Sequence, residues 1–395
     1  MLDATLRERA TGLLTASGRS DVPPFMVMDV MAAAARIEAA GGHVIHMEVG
    51  QPAAAAPKAA ILAAHAALDG ARIDYTSALG VPSLRERISR HYHESYGLAV
   101  DAERIVITTG SSGAFILGFL AMFEPGDRVA VTVPGYPPYR HILTALGCEP
   151  VLIETSSETR HALTGEALLA AHRNAPLKGV LVGSPANPTG TMMSREALTS
   201  LISAAESAGI RFISDEIYHG LDYAFPAVTA AELSRHALVI NSFSKYFCMT
   251  GWRVGWMVVP EPLVRPIERL QQNLAISVPT LSQIAAEAAF EGRQEMEEIK
   301  RGYLENRCIL IEGLPRAGLT KFLPADGAFY LYADVSDFTS DSFKFAGEML
   351  EHAHVAATPG VDFDPVHGRR FIRFSYARSA DEMREAVARI TRWLG

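Results

Sequence analysis

Short, unbroken apolar runs separated by amphipathic stretches are the feature that most restricts how this chain can fold. "RIVITT" (104–109) precedes the helical pattern of "AFILGFLAMF", and "RVAVTV" (128–133) precedes that of "YRHILTALG". "GVLVGS" (179–184) leads into a helical pattern at about 194–208, and "IRFIS" (210–214), "ALVINSF" (237–243) and "VGWMVV" follow. A run that is apolar at every position needs burial on both faces of its strand. Such strands joined by helices predict an α/β fold, with a mostly parallel sheet between layers of helices. Ligands of these sheets sit beyond the carboxyl ends of the strands.

From about residue 262 the pattern changes. Helical periodicity dominates "LVRPIERLQQNLA" and "RQEMEEIKRGYLENRCILIEGL"; the charged face of the latter reads as solvated. Short strands follow in "GAFYLYADV" (327–335) and "FIRFSYA" (371–377), and an amphipathic helix, "DEMREAVARITRWLG", closes the chain. Strands separated by a helix suggest a second, α+β domain. Near the start, "VMDVMAAAARIEAAGG" reads as one helix stopped by Gly41 and Gly42, able to pack on either domain.

Composition narrows the partners. The 395 residues carry a net charge of −8, without the basic footprint of a nucleic-acid binder. Cys148, Cys248 and Cys308 are too few and too scattered for a disulfide framework or a zinc site, and the 13 histidines show no metal spacing. No apolar run is long enough to span a membrane, and "MLDATLRERA" lacks the apolar core of a leader, so a cytoplasmic protein is expected.

Four strand ends carry chemistry. "TTGSSGAF" (108–115) opens a helix, whose free N–H groups suit a phosphate; an ordinary N-cap by Ser111 or Ser112 is the alternative. "SPANPTG" (184–190) holds Asn187 in a Pro-flanked stretch, as a rigid amide donor or as a plain turn. "ISDEIYHG" (213–220) puts Asp215 at a strand end with Tyr218 three residues on; the carboxylate either meets a cation or caps a helix. His219 reads as a packed or solvated histidine. "NSFSKYFCMTGWRVG" (241–255) sets Lys245 among aromatic residues, bracketed by Ser242, Ser244 and Arg253. A snorkelling surface lysine is the common alternative, but it leaves the bracketing serines and arginine unexplained. Poor solvation would lower the lysine pKa and free a neutral amine. A phosphorylated heteroaromatic aldehyde would use all four segments, which is the protein side of pyridoxal-phosphate chemistry.

The same segments, with "YTSALGVPSLRERI", "GAFYLYADV" and "FIRFSYA", occur in an order that resembles the fold-type I, class I/II aminotransferases of the aspartate aminotransferase family. The resemblance spans roughly residues 48–380. It implies pyridoxal 5'-phosphate as cofactor, with Lys245 as Schiff-base lysine and proton carrier and Asp215 as partner of the ring nitrogen. Asn187 and Tyr218 match the donors to the ring oxygen, and Tyr136 matches the ring's stacking partner. Ser111, Ser112, Ser242, Ser244 and Arg253 match the phosphate positions. Arg373 matches the grip on the substrate carboxylate, where a guanidinium fits two oxygens at once, and Gly50 stands close to that carboxylate. Tyr75 matches a tyrosine that serves the other subunit's site, implying a homodimer with shared active sites. A large domain of residues 48–290 and a small one of 1–47 and 291–395 are implied as well.

Two departures concern the substrate. Relatives commonly read Gly-Glu-Pro-Asp-Phe where this chain has "VGQPAAAA" (49–56). Some dicarboxylate-specific relatives carry a lysine where this chain has Ser112. No cation is evident for a second carboxylate, so a neutral or aromatic amino acid is as plausible a substrate as aspartate, with Phe329 and Tyr330 expected near the pocket. The expected reaction is transfer of an amino group between an L-amino acid and a 2-oxo acid. A C–S β-lyase, or a non-catalytic sensor domain, are the alternatives.

Overall fold

In the computed structural model, residues 16–70 and 72–395 are described. The charged stretch 1–10, and with it the start of the expected small domain, lies outside them.

The apolar runs form a seven-stranded sheet. Its strands lie in the order Ile105–Thr108, Gly255–Val258, Leu238–Ser242, Arg211–Asp215, Gly179–Gly183, Arg128–Val133 and Glu149–Glu154. Gly255–Val258 runs antiparallel to both of its neighbours, and the others are mutually parallel. Successive side chains point to opposite faces, and both faces are covered. Val180, Phe212, Val239 and Trp256 pack on one side with Leu84, Ile88, Leu198 and Leu201. Leu181, Ile213, Ile240 and Met257 pack on the other with Phe115, Phe119 and Leu143. Glu149–Glu154 was not anticipated from the sequence. It is an edge strand with one partner, and its mixed "EPVLIE" is mostly half-buried or exposed.

A second, antiparallel sheet orders Thr358–Pro359, Phe371–Ser375, Tyr330–Asp334 and Lys321–Phe322. "GAFYLYADV" was expected to be extended throughout, but the strand starts only at Tyr330: Gly327 makes an isolated bridge to Asp222, and Ala328, at φ +58°, and Phe329 form a turn. Helices Arg293–Gly313, Ser342–Ala353 and Ala380–Leu394 share a core with this sheet, through Tyr303, Leu310, Met349, Met383 and Ile390. Ile45 and Met47 enter the same core, and Ile45–His46 pairs with Val355–Ala356. The small domain is therefore built from both ends of the chain. Helix Met26–Ala39 joins it, packing Ala34 against Val44, Leu350 and Ala356. Among the described residues no helix is long and apolar enough to cross a membrane.

One aromatic cluster lies directly under the Lys245 segment. Phe243 is fully buried, with ring centroids of Phe247 and Trp256 at 4.9 Å and Phe290 at 5.4 Å. Phe243→Ala is expected to lower unfolding free energy by about 3–5 kcal/mol, as truncation of a core aromatic does. Chemical denaturation of the purified variant measures this.

Candidate active site

A cavity of 640 Å³ opens at the carboxyl ends of the central strands, where the second sheet meets the first. It is lined from stretches far apart in sequence, among them residues 25–28, 49–51, 111–112, 215–218, 244–253, Tyr330 and Arg373.

One end is rich in donors. Helix Gly110–Met122 starts just after its strand and has no side-chain cap, which leaves its first N–H groups free. Gly110 is at φ +64°, and a Cβ there would crowd the Arg253 guanidinium. The turn thus needs glycine for both its conformation and its close approach. Ser111, Ser112, Ser244 and Arg253 line this end. Ser242 does not: its hydroxyl donates to the Val254 carbonyl at 3.1 Å and lies 2.9 Å from the Ser244 hydroxyl. It supports Ser244 rather than facing the cavity.

In the middle sit a buried acid and an amine. Asp215 ends its strand and is buried. One carboxylate oxygen accepts from the Tyr139 hydroxyl at 2.5 Å and the other from the Ile217 N–H at 3.1 Å. Burial pushes its pKa up to about 6, against the pull of those two donors and of Lys245. Lys245 Nζ donates to the Gly50 carbonyl at 2.6 Å. Burial, then Arg373, then Arg253 bring its pKa down to about 8, with Asp215 opposing. Tyr136 also lines the cavity, in edge contact with Tyr139 at 5.2 Å and Phe25 at 6.1 Å.

The other end is built around Arg373, which is 1 % exposed. Its guanidinium donates to the Asn187 side-chain oxygen at 2.9 Å, to Thr358 Oγ1 at 3.1 Å and to the Glu48 carbonyl. It lies 4.5 Å from the Tyr330 ring and 4.6 Å from the Phe363 ring. Its Nε has no partner. Arginine only donates, so the Asn187 oxygen must face it, and the amide NH₂ remains available to a ligand. The Tyr218 hydroxyl lies 2.8 Å from that of Tyr330. A Cβ on Gly50 would overlap the Tyr330 hydroxyl, so glycine is required there by space alone.

The cavity thus gathers Lys245, Asp215, Tyr218, Asn187, Tyr136, Ser111, Ser112, Ser244, Arg253, Gly50 and Arg373. Ser242 and Tyr75 are outside it, and Tyr75 is 80 % exposed. Phe329, expected near the pocket, is buried against Tyr218 and Tyr303, whereas its neighbour Tyr330 reaches the cavity. Sequence reasoning missed Tyr139, although it stands one helical turn from Tyr136. It also missed the wall formed by Phe25, Val27 and Met28, which nothing in their apolar character distinguishes from core.

The arrangement has serines, a guanidinium and a free helix start at one end, a buried acid and an amine of lowered pKa in the middle, and a buried guanidinium at the other. The sequence model of aminotransferase class I and II matches residues 42–390. A valine–pyruvate aminotransferase of Mycobacterium tuberculosis is 48% identical over 380 residues, covering 95% of this chain and 97% of the relative. The crystal structure of an aminotransferase from M. tuberculosis superposes with a TM-score of 0.94 at 47% identity, covering 96% of this chain and 99% of that one. Aspartate aminotransferase from Thermus thermophilus, solved with maleate, gives a TM-score of 0.90 at 30% identity over 96% of this chain and 99% of that one. With a match over most of its length and this cavity at its strand ends, the chain belongs to the class I and II aminotransferases.

Proposed function

We propose that this protein is a pyridoxal-phosphate-dependent aminotransferase that moves the amino group of a neutral, apolar L-amino acid to a small 2-oxo acid. The observation that carries the substrate class is the allocation of cations. Among the described residues, Lys245, Arg253 and Arg373 are the cations lining the cavity. Arg253 stands at the anion cradle and Arg373 at the opposite end, which leaves no cation of the same protomer for a side-chain carboxylate. Phe25, Val27 and Met28 offer apolar surface instead. The valine–pyruvate relative is in keeping with this reading.

The residues fit the cofactor. Ser111, Ser112, Ser244, Arg253 and the helix N-terminus would hold its phosphate, with Ser242 behind Ser244. Tyr136 would cover a ring face. Asp215, costly as a buried anion alone, would hold the proton on the ring nitrogen. The Asn187 amide and the Tyr218 hydroxyl would donate to the ring oxygen. Lys245 would hold the group covalently through Nζ. Pyridoxal phosphate, when bound, supplies an electron sink for the pair left when a Cα–H bond breaks. Arg373 would grip the α-carboxylate and so orient Cα toward Lys245, whose Nζ carries the proton away and returns it. The apolar wall would exclude water from that proton.

Tyr75 is exposed and does not line its own cavity, and the role proposed for it is in a second copy's site. Ile73, Tyr75, Leu274 and Ile276 are exposed, and their segments are joined by Thr76 N–H to Ser277 Oγ at 3.4 Å. Exposed apolar side chains on two joined segments suit a homodimer interface.

A donor-by-acceptor screen tests the reading. Valine or a similar neutral donor with pyruvate should exceed aspartate in kcat/KM by about a hundredfold or more, because an unpaired buried carboxylate costs several kcal/mol. Preference for aspartate would sink the substrate class, and pyruvate release from cystathionine without an acceptor would favour the lyase. Lys245→Ala should abolish the visible band of the reconstituted protein and lower kcat by about a thousandfold. Arg373→Lys keeps the charge but loses the fork, and should raise donor KM by about 10–100-fold with a smaller change in kcat. The lowered lysine pKa has a definite sign: the amine loses its proton at lower pH than usual, so the neutral fraction rises through about 8. Capture of pyridoxal phosphate by the apoprotein should therefore accelerate from pH 6.5 to 9 with a midpoint near 8. Stopped-flow absorbance follows it.

A further inference from the structure

Tyr218 lines the cofactor cavity, but the residue after it does not. His219 is buried and borders a second cavity, of 360 Å³. Both of its ring nitrogens have partners: Nε2 is 3.0 Å from the Ser184 carbonyl oxygen, and Nδ1 is 2.8 Å from the Tyr96 hydroxyl. A carbonyl only accepts, so Nε2 must carry the hydrogen. Burial keeps the imidazole neutral, down to about 4, although the Ser184 carbonyl pulls the other way. Nδ1 then accepts from Tyr96, whose proton burial also retains.

Glu216 completes the surroundings. One of its oxygens accepts from the Ala230 N–H at 2.7 Å and the Ser214 hydroxyl at 3.1 Å. The other is buried without a partner, 3.5 Å from His219 Nδ1. Burial pushes Glu216 up to about 8 despite those donors. A neutral acid there can face the Nδ1 lone pair; a carboxylate would oppose it.

The three bonded residues belong to three different elements. Tyr96 ends helix Pro82–Tyr96. Ser184 follows strand Gly179–Gly183 and opens the turn that carries Asn187. The far end of that turn returns to the same residue, because the Met193 N–H donates to Ser184 Oγ at 3.0 Å. His219 lies in the turn after strand Arg211–Asp215, beside Tyr218. Asn187 and Tyr218 are the two donors assigned to the ring oxygen, and each hangs from a turn rather than from a strand. A turn holds its side chains less rigidly than a sheet does, so donors placed on two separate turns need a link between them.

We propose that His219 is a positioning residue for amino transfer: its Nε2–H bond to Ser184, braced by Tyr96, locks the Asn187 turn to the Tyr218 turn. The inference rests on the cofactor-binding roles given above to Asn187 and Tyr218. His219 touches neither substrate nor cofactor; it acts through those two donors. Asn187 keeps its bond to Arg373 when His219 is changed, so the consequence is misplacement rather than collapse.

Three variants test it in the holoenzyme. In His219→Gln the amide nitrogen reaches the Nε2 position and keeps the bond to Ser184. In His219→Asn the shorter amide reaches only the Nδ1 position. His219→Leu removes both bonds. The Gln variant should stay within about threefold of the parent in kcat, while Asn and Leu should lose about 10–100-fold with less change in donor KM, as misplacement of a catalytic constellation does. Weaker donors leave more charge on the ring oxygen to hold the neighbouring proton. The pH midpoint of the visible band should therefore rise by about half a unit or more in Asn and Leu. A Leu variant with parental kcat and midpoint, changed only in melting temperature, would overturn the proposal. So would an Asn variant as active as Gln, and that pair decides the matter if Leu does not fold. ¹⁵N spectra of the apoprotein read the tautomer without the cofactor, which separates this test from any failure of the parent to transfer amino groups. The Nε2–H form, untitrated down to about pH 5, is expected for a buried neutral imidazole. The Nδ1–H form, or titration near the usual value, would refute the tie to Ser184.

Discussion

The site depends on charge that is buried without being neutralised. Among the described residues, Asp215, Lys245 and Arg373 form no salt bridge within the protein; their partners are neutral. Asp215 rests on the Tyr139 hydroxyl and the Ile217 N–H, Lys245 on the Gly50 carbonyl, and Arg373 on an amide oxygen, a hydroxyl and a carbonyl. Neutral partners satisfy hydrogen-bonding geometry and leave the charges uncompensated, which costs stability. The uncompensated charges of Asp215 and Arg373 suit a cation and an anion respectively, while desolvation of Lys245 favours the neutral amine, the form that can meet an electrophile. Such tension is held only because the surroundings are stiff, and the two covered faces of the large sheet supply that stiffness.

Two sheets share the task. The large one presents Asp215, Lys245 and the serines at strand ends, where backbone groups run out and side chains take over. The small one presents Tyr330 and Arg373 from neighbouring strands, with Thr358 paired directly opposite Arg373. The segment from Glu48 to Gly50 lends one carbonyl to Arg373 and one to Lys245. The Arg373 guanidinium and the Lys245 amine are thus coupled through three residues of backbone. The arrangement sets the distance between the two ends of the cavity by packing, without relying on any single flexible side chain.

The parallel sheet was legible because burial on both faces writes itself as unbroken apolar runs. The edge strand Glu149–Glu154 was not, because an edge needs no such run. The motif residues at strand ends could be named from the sequence, since phosphate, amine and acid chemistry demand particular side chains beside particular turns. Their supports were harder to see. Tyr139 is separated from Tyr136 by one helical turn, but only the packed helix turns that face toward Asp215. Phe329 and Tyr330 are adjacent aromatics, and the turn that ends where the strand begins sends one into the core and the other to the cavity. Ser242 and Ser244 look equivalent in the sequence; in the fold one hydroxyl bonds a carbonyl and supports the other.

The amino-acid sequence by itself determined the period of each element, the α/β class and the chemical identity of the groups at the strand ends. These are local properties, read within a few residues. Tertiary structure alone decided which groups lose water and which partners they receive in exchange. Arg373 meets a carbonyl 325 positions away and Lys245 one 195 positions away. Desolvation and hydrogen bonding depend on neighbours in space, and no local pattern records neighbours so distant along the chain.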